Sequence, residues 1–415
     1  MNILVIGSGG REHAIIKSLA QSAKVNKIYC SPGNAGIAEL ASNVNLEIKN
    51  HSAVVLFCAE NKIDFVFIGP EDPLVDGLAD SLRAKKIPVF GPSMAAAKLE
   101  GSKIFAKSFM QEAGVPTADA DLVSSVADTM AAAKKYSAPY ILKADGLAAG
   151  KGVFICASLA ELQNAATDIF EKKTLGPAGN YALLEQNIPG KEISLLVLTN
   201  GSEFQVLPMA QDHKRLFDNN TGPNTGGMGT VAPMLIENSL YEKIIARVVK
   251  PSIAQLKTHR YLFYGVLFIG LMIKDDEPYV LEYNVRFGDP ETQVILPLIE
   301  NDIAELFSEL GNGRLSPLKL NGKTAFCIVN AAEGYPEKPV KNKTILLPEN
   351  TESTYTLHAG TALTPTGQLV SAGGRVLNII AVRDNFTQAR EAAYEFNAQV
   401  IFEGRQFRND LGMYK

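Results

Sequence analysis

The chain has 415 residues, of which 46% are hydrophobic, and it carries a formal net charge of −4 at pH 7. A chain of this length and composition can bury sizeable cores in about two to four domains. Its mild acidity argues against a general nucleic-acid or membrane-surface binder, so we expect neither nucleic acid nor a membrane as a partner.

The cysteines and the N-terminal sequence indicate a cytoplasmic protein. The four cysteines, at positions 30, 58, 156 and 327, have neither disulfide-dense nor zinc-binding spacing, so we expect reduced thiols. Met1 runs directly into an apolar strand, without a charged region or a cleavage site that would indicate export. No apolar stretch reaches the length of about 18 residues that a membrane span needs.

The first hundred residues alternate short apolar strands with helical patterns. The strands are predicted at residues 3–7, 27–30, 65–68 and 88–90. Strands that alternate with helices at this spacing predict a parallel sheet covered on both faces. We therefore expect an N-terminal α/β domain at about residues 1–100.

A glycine turn after the first strand is a candidate anion site. Gly9 and Gly10 precede a helix, where backbone N–H groups can cradle a phosphate. In a parallel sheet, Asn34 after the second strand would lie beside them at the carboxyl ends of the strands. A nicotinamide dinucleotide site is disfavoured, because Glu12 stands where that fingerprint has its third glycine and no acidic ribose ligand follows. Tight turns without a ligand are the alternative.

Residues 140–156 read as two short strands around a glycine-rich loop. The loop contains Gly146, Gly150 and Gly152, with Lys143 and Lys151 at its edges. A small and flexible loop of this kind can fold over phosphate groups while the lysines neutralise their charge. It does not have the spacing of a Walker A loop. A plain flexible hairpin is the alternative.

The next stretch contains two acidic strand ends and a long polar segment. Glu185 and Glu192 lie at strand edges, where carboxylates can accept from an adenine amino group and a ribose hydroxyl. Residues 211–230 show almost no periodicity and include Asp212 and Lys214. A structureless segment of this length is usually functional or disordered, and we expect it to close over a reacting centre.

The most informative stretch is residues 278–293. It predicts a strand on which Glu282, Asn284 and Arg286 share one face, because residues two apart in a strand point the same way. Carboxylate and amide oxygens suit magnesium when phosphates complete its shell, and the arginine fork suits a carboxylate or a phosphate. The solvated face of an antiparallel sheet is the alternative reading.

From about residue 324 the pattern changes to short strands with glycine turns, followed by a helix near residues 386–398. This pattern predicts an α+β C-terminal domain. The whole chain is therefore expected to combine α/β and α+β domains.

Several long motifs together resemble one family. GSGGREH, GPEDPLVDG, LEGSK, KADGLAAGKGV, TGPNTGGMG and RFGDPETQ are similar to the phosphoribosylamine–glycine ligase family of the ATP-grasp superfamily, and the resemblance spans nearly the whole chain. It implies an N-terminal domain with a parallel sheet, an ATP-grasp clamp of two subdomains and a small α+β C-terminal domain. The implied ranges are 1–100 for the N-terminal domain, 101–121 and 189–323 for the central domain, 122–188 for the lid and 324–415 for the C-terminal domain.

The resemblance also implies a reaction and its residues. Glycine would be activated by ATP as glycyl phosphate and then joined to 5-phosphoribosylamine, with Mg²⁺ or Mn²⁺ as the metal, in a monomer or weak dimer. Glu282 and Asn284 would hold the metal, and Arg286, Asp212 and Lys214 would act at the reacting centre. The implied nucleotide ligands are Lys103, Lys143, Gly146, Gly150, Lys151, Gly152, Glu185 and Glu192, and the implied substrate ligands are Gly9, Gly10, Asn34 and Arg286.

Other functions are compatible with parts of this pattern. Another amine ligase of the same superfamily would share the clamp but accept a different acid. A nucleotide sensor could keep the clamp without catalysis, although it would have little reason to retain Glu282, Asn284 and Arg286 together. No nucleophile-elbow motif is present, and acyl-phosphate chemistry needs none.

Overall fold

The computed structural model describes residues 1–148 and 151–413. Strands and helices alternate through the first hundred residues, as the sequence predicts. These elements are β1 (Asn2–Gly7), α1 (Gly10–Leu19), β2 (Lys27–Pro32), β3 (Ser42–Asn43), α2 (His51–Glu60), β4 (Phe65–Ile68), α3 (Glu71–Val75), α4 (Leu78–Arg83), β5 (Val89–Pro92) and α5 (Met94–Gly101). Within the described ranges, no helix is both long and apolar enough to cross a membrane.

The five N-terminal strands form a parallel sheet in the order β5–β4–β1–β2–β3. Ile3 and Val5 of β1 pack into one core with α1, while Leu4 and Ile6 pack into a second core with α2 and α4. Successive side chains of a strand point to opposite faces, so a continuous apolar strand of this kind must be covered on both sides.

The lid subdomain follows, built on a small antiparallel sheet. Its strand order is β6–β9–β7–β8, and it has a core of its own within residues 123–184. The two strands of the predicted hairpin are present at residues 140–144 and 153–156 and pair antiparallel. The elements of this stretch are α6 (Lys103–Glu112), β6 (Ala120–Val123), α7 (Val126–Ala132), β7 (Tyr140–Ala144), β8 (Val153–Cys156), α8 (Leu159–Phe170) and β9 (Ala182–Glu185).

The central domain adds long antiparallel strands and two main helical stretches. One helical stretch spans residues 238–258, with a π-helical turn at Ile245–Val249 between two α-helices. The elements are β10 (Lys191–Thr199), β11 (Phe204–Val206), β12 (Gln211–Asp212), β13 (Arg215–Phe217), β14 (Thr221–Asn224), β15 (Gly229–Ala232), α9 (Asn238–Ile244), α10 (Lys250–Thr258), β16 (Phe263–Lys274), β17 (Glu277–Asn284), α11 (Glu291–Ile295) and α12 (Ile303–Gly311).

The N-terminal sheet does not stop at the boundary of the first domain. β16 pairs antiparallel with β5, so that Phe263 lies opposite Pro92 and Tyr264 opposite Gly91. β10, β11 and β17 extend the same sheet to nine strands. The two domains therefore share one continuous sheet, which the sequence pattern did not predict.

The prediction that residues 211–230 lack regular structure is wrong. The segment contains β12, the antiparallel hairpin of β13 and β14, and the start of β15. β12 pairs with β15, and β15 pairs with a strand of the C-terminal domain. These strands are only two to four residues long, too short for an alternating pattern to stand out in the sequence.

The C-terminal domain is α+β, as predicted. Its main sheet has the order β12–β15–β18–β22–β19, with α13 packed on β18 and β22. The elements are β18 (Thr324–Ala331), β19 (Thr354–His358), β20 (Thr361–Leu363), β21 (Leu369–Ser371), β22 (Arg375–Arg383) and α13 (Phe386–Asn397).

Candidate active site

The polar face of β17 is the floor of the candidate site. Val280 and Tyr283 are buried beneath the strand, whereas Glu282 and Asn284 are partly exposed on its other face. This is the predicted alternation. The polar face continues across the neighbouring strands. Ser194 of β10 lies opposite Gly270 of β16, and Gly270 lies opposite Glu282. A Cβ at the middle position would lie 3.4 Å from the side chain of Glu282, in ordinary van der Waals contact.

Glu282 is ionised and surrounded by ammonium groups. Its carboxylate lies 3.2 Å from Lys103 Nζ at the start of α6. Burial alone would raise the pKa of Glu282, but Lys103, Lys143 and Lys214 hold it at about 2. Lys103 contacts this carboxylate directly, and the charges of Lys143 and Lys214 also favour its ionised form.

Lys143 links the lid to the floor. Its Nζ donates to the carbonyl of Leu281 over 3.0 Å and lies 2.7 Å from Glu185 Oε2. Leu281 is the extra residue of a β-bulge, because Glu282 and Val280 lie opposite adjacent residues of β16. A bulge leaves its residue out of the ladder, so this carbonyl is available to the lysine. An ammonium has three donors, which leaves Lys143 one for a ligand.

Glu185 is held between two lysines. Its carboxylate is 4% exposed, with Lys143 on one oxygen and Lys107 on the other at 3.0 Å. Burial would raise the pKa of Glu185, but the two ammonium groups lower it below its usual value. The predicted contact with the purine edge stays a prediction. It would be made by a carboxylate that is already ion-paired on both oxygens.

Arg286 already bonds three groups of the protein, and its role as a clamp stays a prediction. Its Nε lies 3.2 Å from Glu71, and one terminal nitrogen lies 2.8 Å from Glu100. The other terminal nitrogen donates to the carbonyl of Phe287 over 3.3 Å. The side chain is only 18% exposed, so it fixes the end of β17 against α3 and α5. Any contact of Arg286 with glycine or phosphate must use nitrogens that already bond Glu71, Glu100 and Phe287.

A second charged cluster lies on β12 and the start of α11. Lys214 Nζ is 2.8 Å from Asp212 Oδ2 and 4.0 Å from Glu192 Oε1. Burial would lower the pKa of Lys214, but Asp212, Glu192 and Glu291 raise it above its ordinary value. Glu291 is 2% exposed and accepts a bond of 2.9 Å from Ser194. Burial and the charge of Asp212 raise the pKa of Glu291.

The glycine turn is not an open anion cradle. The Gly9 N–H donates to Glu12 Oε2 over 2.6 Å, and the Arg11 N–H donates to Asp289 Oδ2 over 3.3 Å. Two carboxylates thus occupy the end of α1, where a phosphate would bind. A Cβ added to Gly10 would collide with the side chain of Asn378, so this glycine serves close packing against the C-terminal domain. Substrate contacts of both glycines stay predictions.

Asn34 joins three segments of the protein. Its amide nitrogen donates to the carbonyls of Ser8 and His358 over 2.8 and 2.9 Å, and its amide oxygen accepts from the Ile37 N–H over 2.9 Å. The residue is 8% exposed. The side chain therefore has a structural function, and its role as a substrate ligand stays a prediction.

The glycine-rich loop of the lid is partly defined. Ala144 N–H donates to the carbonyl of Gly152, and Lys151 is exposed beside it. Gly146 contacts the backbone of Ala178. Gly150 lies outside the described residues. The loop's contact with phosphates stays a prediction.

Glu282 and Asn284 fit a metal ion that binds together with nucleotide. They provide one carboxylate and one amide oxygen, and no group of three or more His, Cys, Asp or Glu side chains is placed to hold a metal within residues 1–148 and 151–413. The remaining ligands must come from phosphate oxygens and water. This is the usual way in which proteins bind Mg²⁺.

Family models match nearly the entire chain. The N domain of phosphoribosylglycinamide synthetase matches residues 1–100, its ATP-grasp (A) domain residues 101–292 and its C domain residues 325–414. The chain belongs to the phosphoribosylglycinamide synthetase family. The predicted family is confirmed, and with it the ATP-grasp fold and the class of an ATP-dependent carbon–nitrogen ligase of purine biosynthesis.

Relatives in the phosphoribosylglycinamide synthetase family match over their full length. The phosphoribosylamine–glycine ligase of Caldanaerobacter subterraneus subsp. tengcongensis is 40% identical, with 99% of each chain covered. That of Rhizobium meliloti is 43% identical, with 99% of this chain and 98% of the relative covered. The crystal structure of the Thermotoga maritima phosphoribosylamine–glycine ligase superposes with a TM-score of 0.87 at 34% identity, covering 99% of this chain and 100% of that one.

More distant neighbours of the synthetase family share the fold alone. The biotin carboxylase domain of Hydrogenobacter thermophilus 2-oxoglutarate carboxylase, crystallised with MgADP, has a TM-score of 0.74 at 19% identity, and 98% of this chain and 91% of that chain are covered.

Several charged residues of the synthetase site were missed by the sequence analysis. Lys107 had a usable signal, because it follows Lys103 by one helical turn and residues four apart share a helix face. Glu71 and Glu100 had none, since their contact with Arg286 joins parts of the chain that are distant in sequence. Glu291 was assigned no role, and its contact with Ser194 also joins distant parts of the chain.

Proposed function

We propose that the protein joins glycine to 5-phosphoribosylamine in two steps. A carboxylate oxygen of glycine attacks the γ-phosphorus of ATP, the bond to the bridging oxygen breaks, and glycyl phosphate and ADP form. The amine nitrogen of phosphoribosylamine then attacks the acyl carbon, loses a proton and displaces phosphate, which gives glycinamide ribonucleotide. Full-length relatives that carry the name phosphoribosylamine–glycine ligase support these substrates.

The observation that carries the proposal is the pair of lysines at the polar face of β17, where Lys103 contacts Glu282 and Lys143 bonds the carbonyl of the preceding Leu281. Phosphoryl transfer needs little covalent help from a protein, and catalysis comes from positioning and from neutralising charge. The ammonium groups of Lys103 and Lys143 can exchange their present contacts for the phosphates of ATP when the nucleotide binds. These lysines support the binding of a polyanion, the ATP phosphates, next to the carboxylate of Glu282.

Glu282 and Asn284 would hold Mg²⁺ in the proposed complex, with Mn²⁺ as the alternative ion. The metal supplies charge neutralisation at the phosphate oxygens. The protein contributes the ligand oxygens in a fixed register, because both residues lie on one face of a strand paired along its length with β16. Lys103, at the start of α6, and Lys143, on the lid, would approach the phosphates from two sides, which their contacts with Glu282 and Leu281 support.

The nucleotide would bind between the lid and the floor. Lys143 reaches from β7 of the lid to the bulge of β17, so the phosphate-binding groups span the gap between the two subdomains. Glu192 on β10 is the candidate ribose ligand, and the 146–152 loop is the candidate cover. Closure of such a cover excludes water, which would otherwise hydrolyse glycyl phosphate.

The buried cluster next to Ser194 is the proposed site of acyl transfer. Asp212 and Lys214 are oriented by their mutual ion pair of 2.8 Å. Lys214 carries a positive charge that can stabilise the acyl phosphate, and Asp212 carries a carboxylate that can orient the incoming amine. Arg286 stays a candidate clamp for the glycine carboxylate, subject to its bonds with Glu71 and Glu100.

The direct experiment is ADP release by the purified protein with Mg-ATP. Reactions contain glycine, freshly generated phosphoribosylamine, both or neither, and alanine replaces glycine in a parallel series. ADP formation that requires both substrates and fails with alanine supports the proposal. ADP formation that is indifferent to either substrate overturns the assigned substrates.

A non-catalytic sensor predicts a different result for Asn284→Ala. A ligase should lose turnover far more than nucleotide affinity, because the metal matters most when charge moves in the transition state. A sensor should change only in affinity. Isothermal titration with a non-hydrolysable ATP analogue gives the affinity for comparison with turnover.

A further inference from the structure

The C-terminal residues lie against a hairpin far away in the chain. Residues 408–412, which we name the C-terminal clamp, contact the hairpin of β13 and β14 about 190 positions earlier. This hairpin directly follows Asp212 and Lys214 of the proposed site of acyl transfer.

Arg408 is the buried centre of the clamp. It is 0% exposed and is among the largest fully buried side chains of the described residues. Its guanidinium donates to both carboxylate oxygens of Asp410 over 2.8 and 2.9 Å. A third nitrogen donates to the carbonyl of Arg215 at the start of β13 over 3.2 Å. A planar arginine fork fixes geometry in a way that a flexible lysine does not.

The clamp backbone and the hairpin bind each other reciprocally. The Asn219 N–H donates to Asp410 Oδ2 over 2.7 Å, and the Asn409 N–H donates to Asp218 Oδ1 over 2.8 Å. The Asn409 side chain adds a second bond to Asp218 over 3.1 Å. Three bonds therefore fix the tip of the hairpin.

The clamp also contacts His213, which lies between Asp212 and Lys214. The Gly412 N–H donates to Nε2 of His213 over 3.0 Å, and the other ring nitrogen of His213 bonds the carbonyl of Gly229 over 3.1 Å. Leu411 is fully buried and packs so closely on Gly229 that a Cβ there would collide with it. The clamp thus bonds the residues on both sides of Lys214, and one of them, His213, directly follows Asp212.

The clamp is itself anchored on α13. The Tyr394 hydroxyl donates to the carbonyl of Arg408 over 2.9 Å. Arg390 donates to the carbonyls of Asn409 and Leu411 over 2.9 and 3.1 Å. A chain of hydrogen bonds therefore leads from the C-terminal helix to the hairpin.

We propose that residues 408–412 are a positioning element of the active site, which holds the segment carrying Asp212 and Lys214 in its reactive geometry. This inference rests on the proposed function. The strands β12, β13 and β14 are too short to fix their own position, so the geometry depends on what they are bound to. None of the clamp residues needs to contact a substrate.

Arg408→Gln and Asp218→Ala test the clamp from its two sides. The matched control is Arg405→Gln, because Arg405 donates to Asn330 and Asn397 and stacks on Phe407, all within the C-terminal domain. We expect kcat to fall roughly 10- to 100-fold in both test variants, because displacement of a reacting group by about 1 Å costs this much. The KM for ATP should change less than kcat, since Lys103, Lys143 and Glu282 keep their contacts.

Hydrogen–deuterium exchange gives a second readout. Amide exchange in peptides covering residues 212–224 should accelerate in Arg408→Gln and Asp218→Ala but not in Arg405→Gln. If Arg408→Gln does not fold, Asp218→Ala decides, because Asp218 is partly exposed and its loss removes only bonds to Asn409.

The two proposals fail in distinguishable ways. Folded test variants whose kcat equals that of the control, or whose loss of kcat comes without faster exchange in the hairpin, overturn the positioning role. If the wild-type protein does not release ADP with glycine and phosphoribosylamine, the proposed function fails. In that case faster exchange in the hairpin supports the clamp as a local restraint, and unchanged exchange overturns it.

Discussion

Lys103 Nζ lies 3.2 Å from Glu282 Oε2, although the two residues are 179 positions apart in the chain. The ammonium group thus occupies the neighbourhood of the proposed metal ligand. Burial would lower the pKa of Lys103, but Glu282 raises it, so the pair is ionised on both sides. A divalent cation that arrives with nucleotide would take over the carboxylate and release the lysine towards the phosphates.

Glu282→Gln should weaken divalent cation binding while leaving the shape of the site intact. A neutral amide is a poorer magnesium ligand than a carboxylate, and loss of one partner at a metal site typically costs about 10- to 100-fold in affinity. The measurement is Mn²⁺ binding by electron paramagnetic resonance in the presence of a non-hydrolysable ATP analogue. Glu277→Gln on the same strand is the control. Equal Mn²⁺ affinity in both variants would remove Glu282 from the metal site.

Lys107→Met should weaken both the fold and the ATP site. Lys107 donates to Thr117, Ala118 and Glu185, so its three donors are used and its loss leaves Glu185 with Lys143 alone. Removal of one partner of a buried ion pair costs about 3 to 5 kcal/mol in the free energy of unfolding. The KM for ATP should rise as Glu185 and Lys143 move.

Lys98→Met is the control for Lys107→Met, because Lys98 is exposed on the neighbouring helix α5. It should change the free energy of unfolding by less than about 0.5 kcal/mol. Urea unfolding and steady-state kinetics check both variants. A Lys107→Met protein with wild-type stability and wild-type KM would show that this lysine does not support the nucleotide site.

Arg286 needs a test that separates its structural bonds from a role in turnover. Arg286→Met leaves Glu100 as a carboxylate of 5% exposure without its cation, so we expect a loss of about 3 to 5 kcal/mol in the free energy of unfolding. Adding Glu100→Gln removes the unpaired charge and should restore part of the stability. If turnover returns together with stability, Arg286 is a structural residue. If turnover stays low in the stable double variant, Arg286 acts on the substrate.

The histidine pair at the interface of the N- and C-terminal domains predicts acid sensitivity. His13 and His358 have ring centroids 5.6 Å apart, and His13 Nδ1 accepts from the His358 backbone N–H over 2.8 Å. Burial lowers the pKa of His13 to about 3 and that of His358 to about 4. Both rings are therefore neutral in the folded protein at neutral and mildly acidic pH.

In the unfolded chain both histidines titrate near pH 6.5, so below this pH the unfolded state binds more protons. The free energy of unfolding is unaffected above about pH 6.5 and falls as the pH decreases, by up to about 2.7 kcal/mol per pH unit for the pair. His13→Gln keeps a hydrogen-bond acceptor and should halve this slope. Urea unfolding between about pH 4.5 and 7 measures it, and an unchanged slope would contradict the buried neutral pair.

The sequence predicted the elements and the floor of the site well. The alternation around Glu282 and Asn284 identified a strand with one polar face, because strand periodicity is a local property. The N-terminal βα units and the 140–156 hairpin followed from the same kind of local pattern. The family followed from long motifs that span the chain.

The partners of the site residues could not be predicted in this way. Arg286 was predicted to bind glycine or phosphate, but its contacts with Glu71 and Glu100, which precede it by about 190 or more positions, were not predicted. Glu12 was recognised only as a departure from a fingerprint, whereas its carboxylate caps the glycine turn. Tertiary contacts decide which charged groups are free, and a single sequence does not contain them.

The division between the shared sheet and the lid has a consequence for how the protein unfolds. The nine-stranded sheet ties the N-terminal and central domains into one cooperative unit, whereas the core of the lid lies wholly within residues 123–184. Parts of a protein with separate cores can unfold locally, each with its own free energy of unfolding. The lid can therefore melt as an independent foldon while the rest stays native. Nucleotide bound to both Lys143 and Lys103 would couple the unfolding of the lid to that of the rest of the protein. A single unfolding transition in place of two would then indicate that the site is occupied.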